Sequence, residues 1–383
     1  MMKNYADDFG PFDGRIWLNT ASEGPLPKVS VRALQEATEW KIKPFLLTRR
    51  KFQEVPQRLK SALARLVNTA SQDIILGNSA TYGIHLLANG LPFHPGDEIL
   101  LMQNDFPSDI LPWLGLRKKG VVARQVAPRE HIFSPEEIAG LLTDKTRLLC
   151  LPHVHTFSGF RLDVEAIGRI CRERKVIFVL NISQSAGYHP VDLSAWPVDA
   201  VTSAGFKWLC GPYGTGFCWV RPDLRQNLDY NHAFWVNCLS GPDLETTGEL
   251  SLPDDHGASR YDVFGTANFF NFHPWTASIE YLQSIGIPTV QKHNDGLVEL
   301  LLKGLRNQGW QVISPTDMAR RTALVVFSHA RPEKNAGIFN RLLEQGICGA
   351  FWKNNIRIAP HLFNTPDDIA RLINELKGLA GAV

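Results

Sequence analysis

The sequence contains no Cys-x-x-Cys pair. Its six cysteines, Cys150, Cys171, Cys210, Cys218, Cys238 and Cys348, are scattered along the chain. That spacing fits neither a disulfide framework nor a zinc knuckle, and it predicts reduced, mostly packed thiols in a cytoplasmic protein. No apolar run is long enough to span a bilayer. The first residues, Met1-Met2-Lys3-Asn4-Tyr5-Ala6-Asp7-Asp8, have no apolar signal core, so neither a membrane nor export is expected. Charge of one sign is also missing. Forty Lys and Arg stand against 38 Asp and Glu, for a formal charge of +2. Without a polybasic block, nucleic acid is not an expected partner. Repeats and low-complexity tracts are absent. No Gly-x-Gly-x-x-Gly follows the first predicted strand, which removes a dinucleotide site.

What is present describes a folded globular chain. With 383 residues, 44% hydrophobic and 20% charged, it suits a large domain plus a smaller one. Apolar spacing predicts helices over Val29 to Arg50 and Glu54 to Val67. From about Asp73 to Val220 short apolar strands alternate with helical patterns, the mark of an α/β unit with a mostly parallel sheet. A crossover helix is predicted over Leu162 to Arg174. Leu239 to Gly257 reads as a polar loop, and a helix over Trp275 to Ile285 leads to a small α+β unit. The expected division is 1–27 as an N-terminal segment near the site, 28–265 as the large domain and 266–383 as the small one.

The chemistry centres on Ala200-Val-Thr-Ser-Ala-Gly-Phe-Lys207-Trp-Leu-Cys-Gly-Pro-Tyr-Gly-Thr-Gly216. A lysine inside a small, apolar run is unusual, because an ammonium is rarely buried without a partner. Desolvation makes such an amine lose its proton more easily and act as a nucleophile toward a carbonyl. A lysine snorkelling at a strand end is the plainer alternative. Upstream, Lys175-Val-Ile-Phe-Val-Leu-Asn181-Ile-Ser-Gln184-Ser-Ala-Gly187 is an apolar strand ending on a polar residue. Asp73-Ile-Ile-Leu-Gly77-Asn-Ser79-Ala-Thr81 is a strand whose polar turn opens a helix, an N-cap or an anion site. Ser79, Thr156, Asn181 and Lys207 all fall at strand ends, where ligands gather in such sheets. The pair His153-x-His155 invites a metal reading, but no third ligand sits at a usable spacing and no metal is expected.

Taken together, these segments resemble the class-V aminotransferase family of pyridoxal-phosphate enzymes of fold type I, in its cysteine desulfurase and isopenicillin-N-epimerase-like branch. The resemblance runs from Leu18 to Leu376. It implies a mostly parallel, seven-stranded type of sheet flanked by helices, with a smaller C-terminal α+β domain. It implies pyridoxal 5'-phosphate carried as a Schiff base on Lys207, and an amino-acid substrate altered at its α-carbon. Ala80, Thr81 and Ser203 would hold the phosphate, and Phe106 would stack on the ring. Thr156 and Gln184 would reach the ring oxygen, and Asn181 would face the ring nitrogen. Arg357, in Asn355-Ile-Arg357-Ile-Ala-Pro-His361, would clamp the substrate carboxylate, a match for a guanidinium fork. Asn19 would lie near that carboxylate. Thr266, in Gly265-Thr266-Ala-Asn268, would reach the neighbouring subunit's phosphate, so a homodimer with its site at the interface is implied.

The chain departs from the family at several positions. The family has Asp where Asn181 stands, and a neutral amide cannot hold the ring nitrogen's proton by charge. The position three before the lysine is Ala204 rather than Ser, and the one before it is Phe206 rather than His. Cys348 reads as a packed thiol, not a desulfurase nucleophile. Transamination, epimerisation and elimination stay open. Tyr82, His361 and Tyr213 are candidates for a second proton donor. The rival reading is a pyridoxal-phosphate-binding protein with little catalysis, serving regulation or assembly. On the enzyme reading a neutral Asn181 makes the ring a weaker electron sink, so Asn181→Asp is expected to gain transaminase side activity; an amino-acid screen of that variant checks it, and no gain with any amino acid would count against the account.

Overall fold

The computed structural model describes residues 5–229, 231, 233–238, 248–252, 257–265 and 267–382. Most of the predicted loop over 239–257, and Thr266, lie outside them. Among the described residues thirteen strands form three sheets. In the first, β2 (Ile74–Gly77), β3 (Glu98–Met102), β4 (Val122–Val126), β5 (Thr146–Pro152), β6 (Ile177–Asn181), β7 (Ala200–Ala204) and β8 (Gly216–Val220) stand in the order β2-β8-β7-β6-β5-β3-β4. The pairings among β3 to β7 are parallel, whereas β8 runs antiparallel to both of its neighbours. The seven strands expected by resemblance are therefore present. β7 and β8 are buried at every residue, as a sheet covered on both faces requires.

A second, antiparallel sheet holds β9 (Gln311–Val312), β10 (Val325–Ser328), β12 (Ala350–Trp352) and β13 (Asn355–Ile358) in the order β12-β13-β10-β9. The remaining pair is parallel and joins the two ends of the chain: β1 (Ile16–Trp17) lies beside β11 (Ile347–Cys348). Asn19 continues that contact by bridging Ala359. The N-terminal segment thus packs on the C-terminal unit, and from there reaches the large sheet. Gly24 donates its N–H to the Phe206 carbonyl at 2.8 Å. A Cβ on Gly24 would stand 1.9 Å from the Lys207 carbonyl oxygen, so only glycine fits.

Nine helices among the described residues are longer than one turn: α1 (Lys28–Ile42), α2 (Arg49–Val67), α3 (Ala80–Gly90), α4 (Pro135–Leu141), α5 (Val164–Glu173), α6 (Phe269–Ile285), α7 (Ile287–Asn307), α8 (Asn335–Glu344) and α9 (Pro366–Ala382). The single helix predicted over Val29 to Arg50 is cut short at Ile42. Pro44 has no N–H and its ring clashes with the preceding turn, so the chain breaks there and restarts at Arg49. Elsewhere local signals hold. Ser134 and Glu137 form a capping box on α4, and Asp163 caps α5. The buried residues Val55, Leu59, Leu63 and Leu66 of α2 recur three and four apart. Phe272, Trp275, Ile279 and Leu282 of α6 share a core with α2 and the large sheet. A boundary at 265/266 therefore places α6 with the small unit, although its apolar face is buried on the large one.

The strand ends are held close to one another by glycine. Gly216, at the start of β8, pairs with Gly77. A Cβ there would lie 2.5 Å from the Ser79 backbone, beside the start of α3. Gly216→Ala is expected to overpack this contact, costing about 1–3 kcal/mol, read as a lower urea midpoint with the slope kept. An unchanged midpoint would show that the two backbones have room to part.

Candidate active site

The C-terminal ends of five parallel strands converge on one cavity of about 250 Å³. Ser79, Ala80 and Thr81 follow β2, Phe106, Ser108 and Asp109 follow β3, and Pro152 ends β5, with Val154 and Thr156 after it. Asn181 ends β6, and Ala204, Phe206 and Lys207 follow from β7. Ala21 and Ser22 from the N-terminal loop and Trp352 and Arg357 from the small sheet close it. A more open depression of about 600 Å³, lined by Arg129, Glu130, Arg161 and Arg320, lies apart. There Arg320 is engaged by Glu130 and Asp317, and Arg161 by the Ala319 carbonyl and the His189 ring.

Lys207 is the one amine among the described residues that line the cavity. Burial, with the nearby Arg357 charge, lowers its pKa to about 8, and Asp109 opposes the fall. Its Nζ stands 5.3 Å from the centre of the Phe106 ring. The first-turn amides of α3 have no helical partner, and that helix end opens on the cavity through Ala80 and Thr81. Ser79 caps the helix, its Oγ accepting from Tyr82 N at 3.3 Å.

A chain of donors fixes the opposite wall. Trp208 Nε1 has only a proton to give, and it gives it to Gln184 Oε1 at 2.8 Å. The Gln184 amide is thereby oriented. Its Nε2 donates to the Ala21 carbonyl at 2.9 Å and to Thr156 Oγ1 at 3.4 Å. Both amide protons are engaged, so the Thr156 hydroxyl proton is the one left for a ligand.

Arg357 lies on β13 and is 2% exposed. Nη1 donates to the Thr156 carbonyl at 3.1 Å; Nη2 donates to Asn19 Oδ1 at 3.3 Å and Ser22 Oγ at 2.6 Å. Nε is buried without a partner among the described residues. Burial lowers the guanidinium's pKa to about 10. None of the ion pairs among the described residues involves this guanidinium, so a carboxylate from a ligand would satisfy it.

Several sequence expectations are revised here. Ser203 is buried on the other face of β7, its Oγ donating to the Ala204 carbonyl at 3.1 Å, and it is Ala204 that lines the cavity. The alternation of a strand puts adjacent residues on opposite faces. Asn19 reaches the site only through Arg357. None of Tyr82, Tyr213 and His361 lines the cavity. The Tyr82 hydroxyl bonds the Tyr261 carbonyl, Tyr213 is exposed, and His361 is buried against the Trp208 carbonyl. His153 and His155 each bond a different serine, Ser185 and Ser158. Sequence reasoning missed Asp109, Ser22 and Trp352. Asp109 had a signal, an acid three residues after Phe106 and directly before the apolar run Ile110-Leu-Pro-Trp113; Trp352 had none.

Comparison with known proteins identifies the family. Residues 48–349 match the family model described as Aminotransferase class-V. A probable cysteine desulfurase of Methanothermobacter thermautotrophicus is 30% identical over 295 residues, covering 75% of this chain and 71% of the relative. Isopenicillin N epimerase of Streptomyces clavuligerus is 25% identical over 390 residues, covering 95% of this chain and 94% of the relative. The solved complex of the cystine C-S lyase C-DES with its reaction product cysteine persulfide superposes with a TM-score of 0.87 at 25% identity, over 96% of this chain and 99% of that one. A C-DES variant with glycine covalently linked to its PLP cofactor gives 0.88 at 23% identity, over 97% and 98%, a likeness of fold.

The residues fit that cofactor. An amine with a lowered pKa suits its aldehyde, the Phe106 ring its flat heterocycle, and the start of α3 its phosphate. Capture of pyridoxal phosphate by the cofactor-free protein is expected to accelerate as pH rises through about 8, where Lys207 loses its proton. Stopped-flow absorbance checks this; a rate still governed by an ordinary lysine near pH ~10.4 would show that Lys207 is not desolvated.

Proposed function

The chain belongs to the class-V aminotransferase family, as a pyridoxal-phosphate enzyme acting on amino acids, and within that class we propose that it catalyses elimination between the α- and β-carbons of its substrate. The observation that carries this reading is the set of titratable groups lining the cavity among the described residues. It consists of one amine, Lys207, one buried guanidinium, Arg357, and one carboxyl, Asp109.

When bound, pyridoxal phosphate supplies a carbonyl for the substrate's amine and a ring that makes the adjacent C–H acidic. The protein's own groups do the rest. Arg357 takes the substrate carboxylate, held in place by Ser22, Asn19 and the Thr156 carbonyl. Lys207 Nζ, with its lowered pKa, removes the α-proton and carries it to the departing group on the same side. With the cofactor bound, Phe106 would form a wall of the ring's slot, Thr156 would donate to its oxygen, and Ala80 and Thr81 would hold the phosphate. Elimination needs only one such base. Epimerisation needs a second donor on the opposite face, and the three candidates for that role do not line the cavity. A desulfurase-type relay needs a thiol there, and none of the six cysteines lines it. The relative and neighbour described as a desulfurase and a C–S lyase support a sulfur-bearing leaving group.

We extend the proposal to a homodimer in the cytoplasm. Ile42, Phe45, Leu46 and Phe52 form an exposed apolar stretch between α1 and α2, which a second copy would cover. Among the described residues no helix is long and apolar enough to cross a membrane. Thr266, outside the described residues, would then serve the partner subunit's phosphate.

The test is an absorption spectrum of purified protein beside Lys207→Ala, with pools of L- and D-amino acids. A yellow band lost in the variant, and release of a 2-oxo acid with ammonia from one pool, are expected. Arg357→Lys, which loses the planar fork, is expected to raise KM by about 10-fold or more. Formation of the opposite enantiomer, or of a new amino acid from an added 2-oxo acid, would overturn elimination.

A further inference from the structure

Asn181 stands where the family's aspartate would face the cofactor's ring nitrogen, and its amide is held from both sides. Nδ2 donates to Asp109 Oδ1 at 2.7 Å, and Oδ1 accepts from Ser183 N at 2.9 Å. One partner only accepts and the other only donates, so the amide has one orientation. Asp109 is 2% exposed, lines the same cavity, and lies on the turn that presents Phe106. Its other hydrogen bond comes from the Ser108 hydroxyl at 3.4 Å.

We propose that Asp109 is a positioning residue that acts through Asn181, supplying from one residue further away the negative charge that keeps the ring nitrogen protonated. The inference rests on the pyridoxal-phosphate reading above. A carboxylate accepting from Nδ2 draws electron density through the amide toward Oδ1, which makes that oxygen a stronger acceptor. The charge itself also acts across a desolvated cavity, where it is weakly screened. Asn181 is then a relay, not a lost function.

The charge belongs to neutral pH. Burial pushes the Asp109 carboxyl up to about 6, while Asn181, the Lys207 charge and Ser108 hold it down. Asp105, four residues earlier, is raised well above the usual carboxylate range by burial and by Asp109. The Cys150 thiol, also near Asp109, is raised too and stays neutral. Asp109 therefore carries its charge above about pH 6 and loses it below. The setting also revises the expectation for Asn181→Asp. That single change would set two carboxylates at hydrogen-bond distance in a desolvated cavity, where one takes up a proton. A gain of transaminase activity is not expected from it alone.

The experiment follows pyridoxal phosphate, isotope-labelled at its ring nitrogen, by NMR in the loaded protein. Asp109→Asn is expected to lower the ring nitrogen's pKa by about one to three pH units. The swap Asn181→Asp with Asp109→Asn is expected to restore it. A second measurement uses the unsubstituted chain. Reciprocity requires that the Asp109 carboxyl, followed by carbon NMR in the loaded chain, have a lower pKa while the ring nitrogen is protonated than after it has lost its proton. A ring nitrogen indifferent to Asp109→Asn, or an Asp109 titration unmoved by the ring nitrogen's protonation, would overturn the inference. Loss of the Lys207-dependent band from the unsubstituted chain would instead sink the cofactor reading, and the inference with it.

Discussion

Burial of charge is the constraint on which this site depends. Lys207, Arg357 and Asp109 share one cavity, and desolvation is the largest influence on each. It moves all three toward neutrality: the amine and guanidinium downward, the carboxyl upward. An amine that ionises near neutral pH is both a nucleophile and a base. The same desolvation leaves a guanidinium whose full satisfaction awaits a carboxylate from outside. The lowered pKa of the amine and the incompletely satisfied guanidinium thus have one physical cause.

The cavity is assembled from three stretches far apart in sequence. The parallel sheet brings five strand ends together, the small sheet contributes Arg357 on β13, and the N-terminal loop adds Ala21 and Ser22. They are joined by particular contacts. Gln184 donates to the Ala21 carbonyl and to Thr156, while the Thr156 carbonyl accepts from Arg357. Thr156 therefore links Gln184 to Arg357. Movement of the small sheet relative to the large one would be felt at both.

Much of this was legible in the sequence. Alternation of short apolar strands with helical patterns predicts the parallel sheet, because the period of burial differs between the two elements. Lys207 stands out because its neighbours are small and apolar. Arg357 stands out by its resemblance to a family motif. Other features were misread where a local rule met a competing one. Pro44 breaks a pattern that apolar spacing alone would continue. Ser203 is one residue from the cavity wall, and one residue on a strand is the other face.

Sequence by itself determined the α/β class, through the period of its apolar residues, and the resemblance of its motifs to a family pointed to pyridoxal phosphate as the cofactor. Both survive without coordinates. Tertiary structure alone decided which polar groups touch. Asn181 looks in sequence like a missing charge. In the fold its amide meets Asp109, 72 residues away along the chain. The physical reason is that a charge acts through space, and the distance that governs it is fixed by how the strands pack.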